Sequence, residues 1–139
     1  MAFLHTEVVD DWLVHAIKPG RLTDPLVIDQ VGRRIIESIS ALPVGERVVV
    51  DFRAVRQASS AIVGMLVSIK READARQCEL VLTRLAPDIV RMLQITRLDK
   101  QFQISGRLRD VIGRGERASV PKDLLMVGAS SPDDVSWID

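Results

Sequence analysis

The sequence predicts an α/β domain: a mixed sheet of about five strands covered by helices and entered through an N-terminal β-hairpin. Three observations carry this expectation. Arg47-Val48-Val49-Val50-Asp51-Phe52 is a β-branched run without alternation, the pattern of a strand buried on both faces. Before and after it, apolar residues recur at three-to-four spacing, so helices flank the strand along the chain. Near the N-terminus, two short apolar stretches around Asp10-Asp11 read as a hairpin.

Taken in order, the hairpin runs from Leu4 to Ile17 and is stopped by Lys18-Pro19-Gly20. Asp24 then supplies an N-cap acceptor, and Pro25 follows at the first helical position, where its missing N–H costs nothing. The helix behind it presents Ile28, Val31, Ile35, Ile39 and Leu42 as one stripe and ends near Pro43. After the central strand, a second stripe comprises Ile62, Met65, Leu66, Ile69 and Ala73, with Lys70, Arg71, Glu72 and Asp74 on the polar side. Cys78-Glu79-Leu80-Val81-Leu82 reads as another inner strand. Pro87-Asp88 opens a short helix carrying Ile89, Val90, Leu93 and Ile95, and a strand through Phe102 and Ile104 closes the pattern. Residues 1–104 are thus expected to form the domain. Residues 105–139 are expected to be a partly flexible C-terminal extension, with Arg107, Arg109, Arg114 and Arg117 among glycines, an apolar Leu124-Leu125-Met126-Val127 and an acidic end around Trp137.

Composition narrows the function. The 139 residues hold 19 Lys plus Arg against 19 Asp plus Glu, and a formal net charge of zero gives no global attraction to nucleic acid or anionic lipid. No stretch approaches the ~20 apolar residues needed to cross a bilayer, and the N-terminus lacks the pattern of a secretory signal, so a cytoplasmic protein is expected. The single cysteine, Cys78, lies in an apolar run without a basic neighbour to activate it. His5 and His15 are the only histidines and have no acidic cluster at ligand spacing, so no metal or other cofactor is expected. With neither a Gly-rich phosphate loop nor a nucleophile elbow, enzymatic chemistry finds no support.

One polar feature stands out: Ala58-Ser59-Ser60-Ala61, between the central strand and the second helix. A serine there is either a simple N-cap or a hydroxyl exposed at the positive end of the helix dipole. Arg53, Arg56 and Arg84 follow the carboxyl ends of inner strands, the same rim in an open α/β sheet, where they either are solvated or meet an anionic group. Val63, Gly64 and Val67 flank the second helical stripe. The valines either complete the core or mark a contact patch, and Gly64 allows close backbone approach.

From about Trp12 to Ile104 the chain resembles the STAS domain, the sulphate-transporter and anti-sigma-factor-antagonist module. The resemblance runs through Gly20-Arg21-Leu22-Thr23-Asp24, the Val48 to Phe52 strand and Leu80-Val81-Leu82 to the closing Leu93-Gln94-Ile95-Thr96-Arg97-Leu98-Asp99-Lys100-Gln101-Phe102-Gln103-Ile104. It implies a STAS-like single domain acting as an anti-sigma factor antagonist. In such antagonists an Asp-Ser-Ser-Gly-Leu-Gly motif follows the strand that ends in Asp, and a partner kinase phosphorylates its first serine. Matching the last glycine to Gly64 puts that serine on Ser60 and Ser59 at the aspartate position, while Ala61 and Ile62 replace the second serine and first glycine. A one-residue shift selects Ser59 instead. The resemblance further implies as partners an anti-sigma factor of the serine-kinase type, which uses ATP, and a phosphatase that restores binding. It equally accommodates a constitutive scaffold, or an accessory subunit of a stress-signalling or lipid-transport complex.

Overall fold

The computed structural model describes residues 3–107 and residue 111. Its elements are β1 (Leu4–Val9), β2 (Trp12–Ile17), β3 (Arg21–Leu22), α1 (Pro25–Ser40), β4 (Arg47–Asp51), β5 (Gln57–Ala58), α2 (Ala61–Ala75), β6 (Glu79–Thr83), α3 (Pro87–Ile95), a 3-10 turn (Asp99–Gln101) and β7 (Gln103–Ser105). The main sheet has the order β1-β2-β4-β6-β7, with β1 antiparallel to β2 and every other pair parallel. The hairpin closes through Asp10 and Asp11, both at positive φ (50° and 70°), which matches the twist of the strands it joins.

β4 is central, as its unalternating sequence predicts. Val48 and Val50 face one apolar cluster, which also contains the buried residues of α1, α2 and α3, so the described helices gather on one side of the sheet. Val49 faces the opposite side with Trp12, Val14 and Val81, and Val111 packs there. The stripe of α2 is buried as expected, and that of α1 is buried from Ile28 to Ile39, but α1 ends at Ser40, so Leu42 lies past the helix and is only half-buried. At α3 the reading is corrected: Ile89 and Leu93 are buried, but Ile95, on the last turn, is exposed. The inner strand begins one residue later than Cys78, whose side chain is buried at its entrance.

A feature without periodicity governs how α1 meets α2. A Cβ at Gly32 would lie 2.8 Å from Cγ of Met65, so the absence of a side chain is what admits Met65 between the helices. Of the sequence beyond β7, only Arg107 and Val111 of the features named above fall within the described residues. Arg109, Arg114, Arg117, the Leu124 to Val127 cluster and Trp137 lie outside them.

Candidate functional site

The carboxyl ends of β2 and β4 continue past the main sheet and pair again as β3 and β5, with Arg21 opposite Gln57 and Leu22 opposite Ala58. Three backbone bonds fix this rim: the N–H groups of Arg56 and Gln57 donate to the Gly20 carbonyl (2.8 and 3.2 Å), and that of Ser59 donates to the Leu22 carbonyl (3.1 Å). The segment carrying both serines is therefore tied to the residues just before α1, and the two helices start side by side.

Their first turns are finished differently. At α1, Asp24 is the N-cap and its Oδ1 accepts from the Leu26 N–H at 2.9 Å. At α2, Ser60 holds the N-cap position in helical conformation (φ −64°, ψ −17°), and its side chain makes no capping hydrogen bond. Backbone carbonyls do that work instead, Ser59 accepting from Ile62 N–H (3.1 Å) and Ser60 from Val63 N–H (3.0 Å). Ser60 is exposed and Ser59 half-buried. Of the two readings open from sequence, the hydroxyl cap is thus not the one adopted by Ser60.

Downstream of Ser60, Ala61, Gly64, Met65 and Ser68 form one wall of a groove of about 390 Å³, whose other wall is α1 from Pro25 to Ile36. A Cβ at Gly64 would meet nothing within 4 Å, so this stretch of α2 is open to close approach. Val63 and Val67 do not line the groove. Both are half-buried, Val63 leaning on the core. Sequence reasoning missed Leu26, which is 73% exposed on the first turn of α1. Its signal was its place off the α1 stripe.

The arginines divide. Arg53 and Arg56 share a cavity with His5, Lys18 and Asp51 at the ends of β2 and β4, whereas Arg84 belongs to the β6–α3 connection, at φ +58°, its N–H donating to the Ser105 carbonyl (3.0 Å). Asp51 is buried, and its Oδ1 accepts from the Thr83 hydroxyl on the neighbouring strand (2.9 Å) and from the Arg53 N–H (3.3 Å). This polar pair closes the floor of the rim, and the strand-terminal position of Asp51 was its only mark in the sequence. His15, in mid-sheet on β2, is fully buried. Its Nδ1 is hydrogen-bonded to the Thr6 hydroxyl at 2.9 Å, its Nε2 has no partner, and burial lowers its pKa to about 4. Among the described residues no group of three or more His, Cys, Asp or Glu side chains could hold a metal ion, and no helix is long and apolar enough to cross a membrane.

Comparison with known proteins places this architecture. Residues 33–110 match the family model described as Mlab, STAS domain. No curated protein sequence matches the chain. Among solved structures, an anti-sigma-factor antagonist (STAS) domain protein from Planctomyces limnophilus superposes with a TM-score of 0.67 at 18% identity, over 78% of this chain and 94% of its own. The anti-sigma factor antagonist SpoIIAA in its unphosphorylated form gives 0.65 at 20% identity, over 80% and 94%. A chain of the stressosome, described as a signal integration and transduction hub, gives 0.59 at 22% identity, over 78% and 95%. These likenesses share the fold seen here. With the family model covering more than half of the sequence, the chain belongs to the STAS domain family.

Proposed function

We propose that the protein is a non-enzymatic binding module of the cytoplasm, an anti-sigma factor antagonist that sequesters an anti-sigma factor of the serine-kinase type. The observation that carries this is the start of α2: an exposed Ser60 whose hydroxyl caps nothing, on a segment pinned by β3 and β5. Such a hydroxyl can be offered to a kinase without cost to the helix. The docking surface comprises the Ser60 rim, Gly64 with the groove beside it, Leu26, and the flank bearing Val63 and Val67. Arg53, Arg56 and Arg84 give the rim its positive charge and pair with acidic groups of the partner. Phosphorylation of Ser60, or of Ser59 in the alternative register, adds about −1.5 to −2 charge at a helix N-terminus. The domain tolerates that charge through the helix dipole, while a close partner interface does not. The partner releases, and a phosphatase resets the module.

A second reading, a constitutive scaffold or accessory subunit of a stress-signalling or lipid-transport complex, is favoured by two observations. The matching family description is Mlab rather than an antagonist, and Ser59, Ala61 and Ile62 depart from the antagonist motif. One experiment separates the two: affinity capture from lysate of the source organism with wild type, Ser60→Ala and Ser60→Glu as baits, with phosphopeptide mapping. Retention of a kinase-fold protein by wild type and Ser60→Ala and its loss with Ser60→Glu supports the switch. The same partners on all three baits, with no phosphate on Ser59 or Ser60, leaves the constitutive reading. Replacement of all three arginines without change in partner affinity would retire their role.

A further inference from the structure

We propose that β1 is an interface for a second copy of this chain: two β1 strands pair antiparallel about a two-fold axis at Thr6 and join the two sheets into one. β1 is six residues long and forms an edge of the main sheet, and no strand among the described residues lies beyond it. The opposite edge, β7, has three residues. Edges of sheets are commonly blunted by lysine, proline, a bulge or shortness. β7 has the last of these, whereas Leu4-His5-Thr6-Glu7-Val8-Val9 has none, and its register with β2 is unbroken from Leu4 to Val9.

Backbone geometry restricts how a copy can pair. The Lys18 N–H donates to the Phe3 carbonyl at 2.9 Å, and hydrogen-bonded pairs alternate along an antiparallel ladder, so Phe3, His5, Glu7 and Val9 direct their backbone groups to β2. Leu4, Thr6 and Val8 therefore direct theirs outward. In self-pairing an outward residue must oppose an outward residue, and the registers that pair more than one of them are centred on His5, Thr6 or Glu7. The Glu7 centre sets two carboxylates side by side, and the His5 centre leaves Val8 without a partner. The Thr6 centre pairs every outward residue, with about six backbone bonds across the interface. It sets Leu4 against Val8 of the second copy, and His5 against its Glu7 as a non-hydrogen-bonded pair, the kind whose side chains come closest. His5 Nε2 and Glu7 Oε1 already meet within one chain at 3.1 Å, so the pairing gathers both copies of a compatible base and carboxylate.

Side chains on this edge are also left open. Leu4 leans on the helix-side core, and by strand alternation Thr6 and Val8 share its face. Both are exposed, Val8 to 67%, and a concavity of about 330 Å³ lies between Leu4 and Thr6 on one side and Arg34, Glu37 and Ser38 of α1 on the other. α1 thus stops short of the edge strand. The Thr6-centred pairing seats each Val8 against a Leu4 and takes that apolar surface out of water. Its axis is perpendicular to the sheet, because paired residues share a face, so both copies keep their helices on the same side and their Ser60 rims at opposite ends.

The test is sedimentation velocity of the full chain from about 1 μM to about 1 mM, the range in which a small edge-to-edge interface associates. A reversible shift from 15.5 kDa to twice that mass is expected. With rising concentration the amides of Leu4, Thr6 and Val8 should gain protection from hydrogen exchange, while those of His5 and Glu7 are protected throughout. Val8→Lys and Val8→Pro should each weaken association by about tenfold or more, since the change enters the interface twice and neither removes a bond to β2. Val8 is exposed, so Val8→Lys should melt as wild type does. Val44→Lys, at another exposed valine, is the control and should associate as wild type. Disulfide trapping reads the register: a His5→Cys chain mixed with a Glu7→Cys chain should cross-link faster than either alone, the native Cys78 being buried. A chain that stays monomeric over the whole range, a dimer undiminished in Val8→Lys and Val8→Pro, an equal loss in Val44→Lys, or faster trapping of either cysteine variant alone overturns the interface as stated. Neither Ser59 nor Ser60 enters the pairing, so the outcome is independent of the switch at Ser60.

Discussion

The starts of α1 and α2 lie side by side on one rim, yet only one is closed by its own side chain. Asp24 spends its carboxylate on the Leu26 N–H, and the proline behind it removes a donor that would otherwise need a partner. Ser60 occupies the equivalent position at α2 with a helical backbone and an uncommitted hydroxyl. Both residue types are favoured N-caps, so residue identity does not distinguish them. What does is the backbone of the rim. Ser59 and Ser60 form a tight first turn through their carbonyls, which satisfies N–H groups that a side chain would otherwise serve. A helix start that is stable without its side chain can offer that side chain to another protein.

Both helix starts are carried by one sheet, and the largest effect on its stability is expected from His15. An unfolded histidine takes up its proton near pH 6.5, whereas buried His15 does so only near pH 4. Between these values the unfolded state binds more protons, so stability is full above about pH 6.5 and falls as the pH drops toward 4. Over that window the loss amounts to about 3 kcal/mol. Urea unfolding of wild type and His15→Leu at a series of pH values checks this: the difference between the two profiles should carry the slope, and parallel profiles would contradict it.

Next in size is the contact that holds the two helices together. Gly32→Val puts branched carbon where Cγ of Met65 lies 2.8 Å from the first added atom, and overpacking of this kind costs about 2 kcal/mol. Chemical denaturation measures it. The same substitution should splay the groove beside Gly64 and weaken any partner that reads both helix starts together, so an undiminished affinity would show that the partner uses α2 alone.

How far these features were legible follows from their physics. Burial imposes a period, and the stripes Ile28-Val31-Ile35-Ile39 and Ile62-Met65-Leu66-Ile69 announced their helices, as Val48-Val49-Val50 announced the central strand. The hairpin and the Asp24-Pro25 start were equally readable, since turn and cap chemistry are local. Ile95 misled because it is apolar and helical, yet at about 100° per residue it lies about 200° round the helix from Leu93, on the face turned away from the core. The rim was only partly visible. Arg53, Arg56 and Arg84 were correctly placed beyond strand ends, but their division between two connections depends on the strand order and on the small β3–β5 pairing, each strand of which is two residues long. Lys18 read as a strand terminator, and nothing local to it reveals that it lines one concavity with Arg53 and Arg56. Ser60 was identifiable as a helix start, but the fate of its hydroxyl was not, because backbone conformation rather than residue type decides it.

The smallest expected effects separate the two helix starts most directly. Asp24→Ala removes a formed cap and should cost about 1 kcal/mol in urea unfolding. Ser60→Ala removes a hydroxyl that caps nothing and should stay within about 0.5 kcal/mol of wild type. Ser60→Asp sharpens the contrast, since a negative charge at the first turn is favoured by the helix dipole by about 0.3–1 kcal/mol, so this variant should equal or slightly exceed wild type in stability. The ordering matters more than any single value. If Ser60→Ala fell as far as Asp24→Ala, the hydroxyl would be acting as a cap in solution, and modifying it would weaken the helix as well as the interface. If the expected order holds, charge at Ser60 leaves the fold intact, and any loss of partner binding in the aspartate variant belongs to the interface alone.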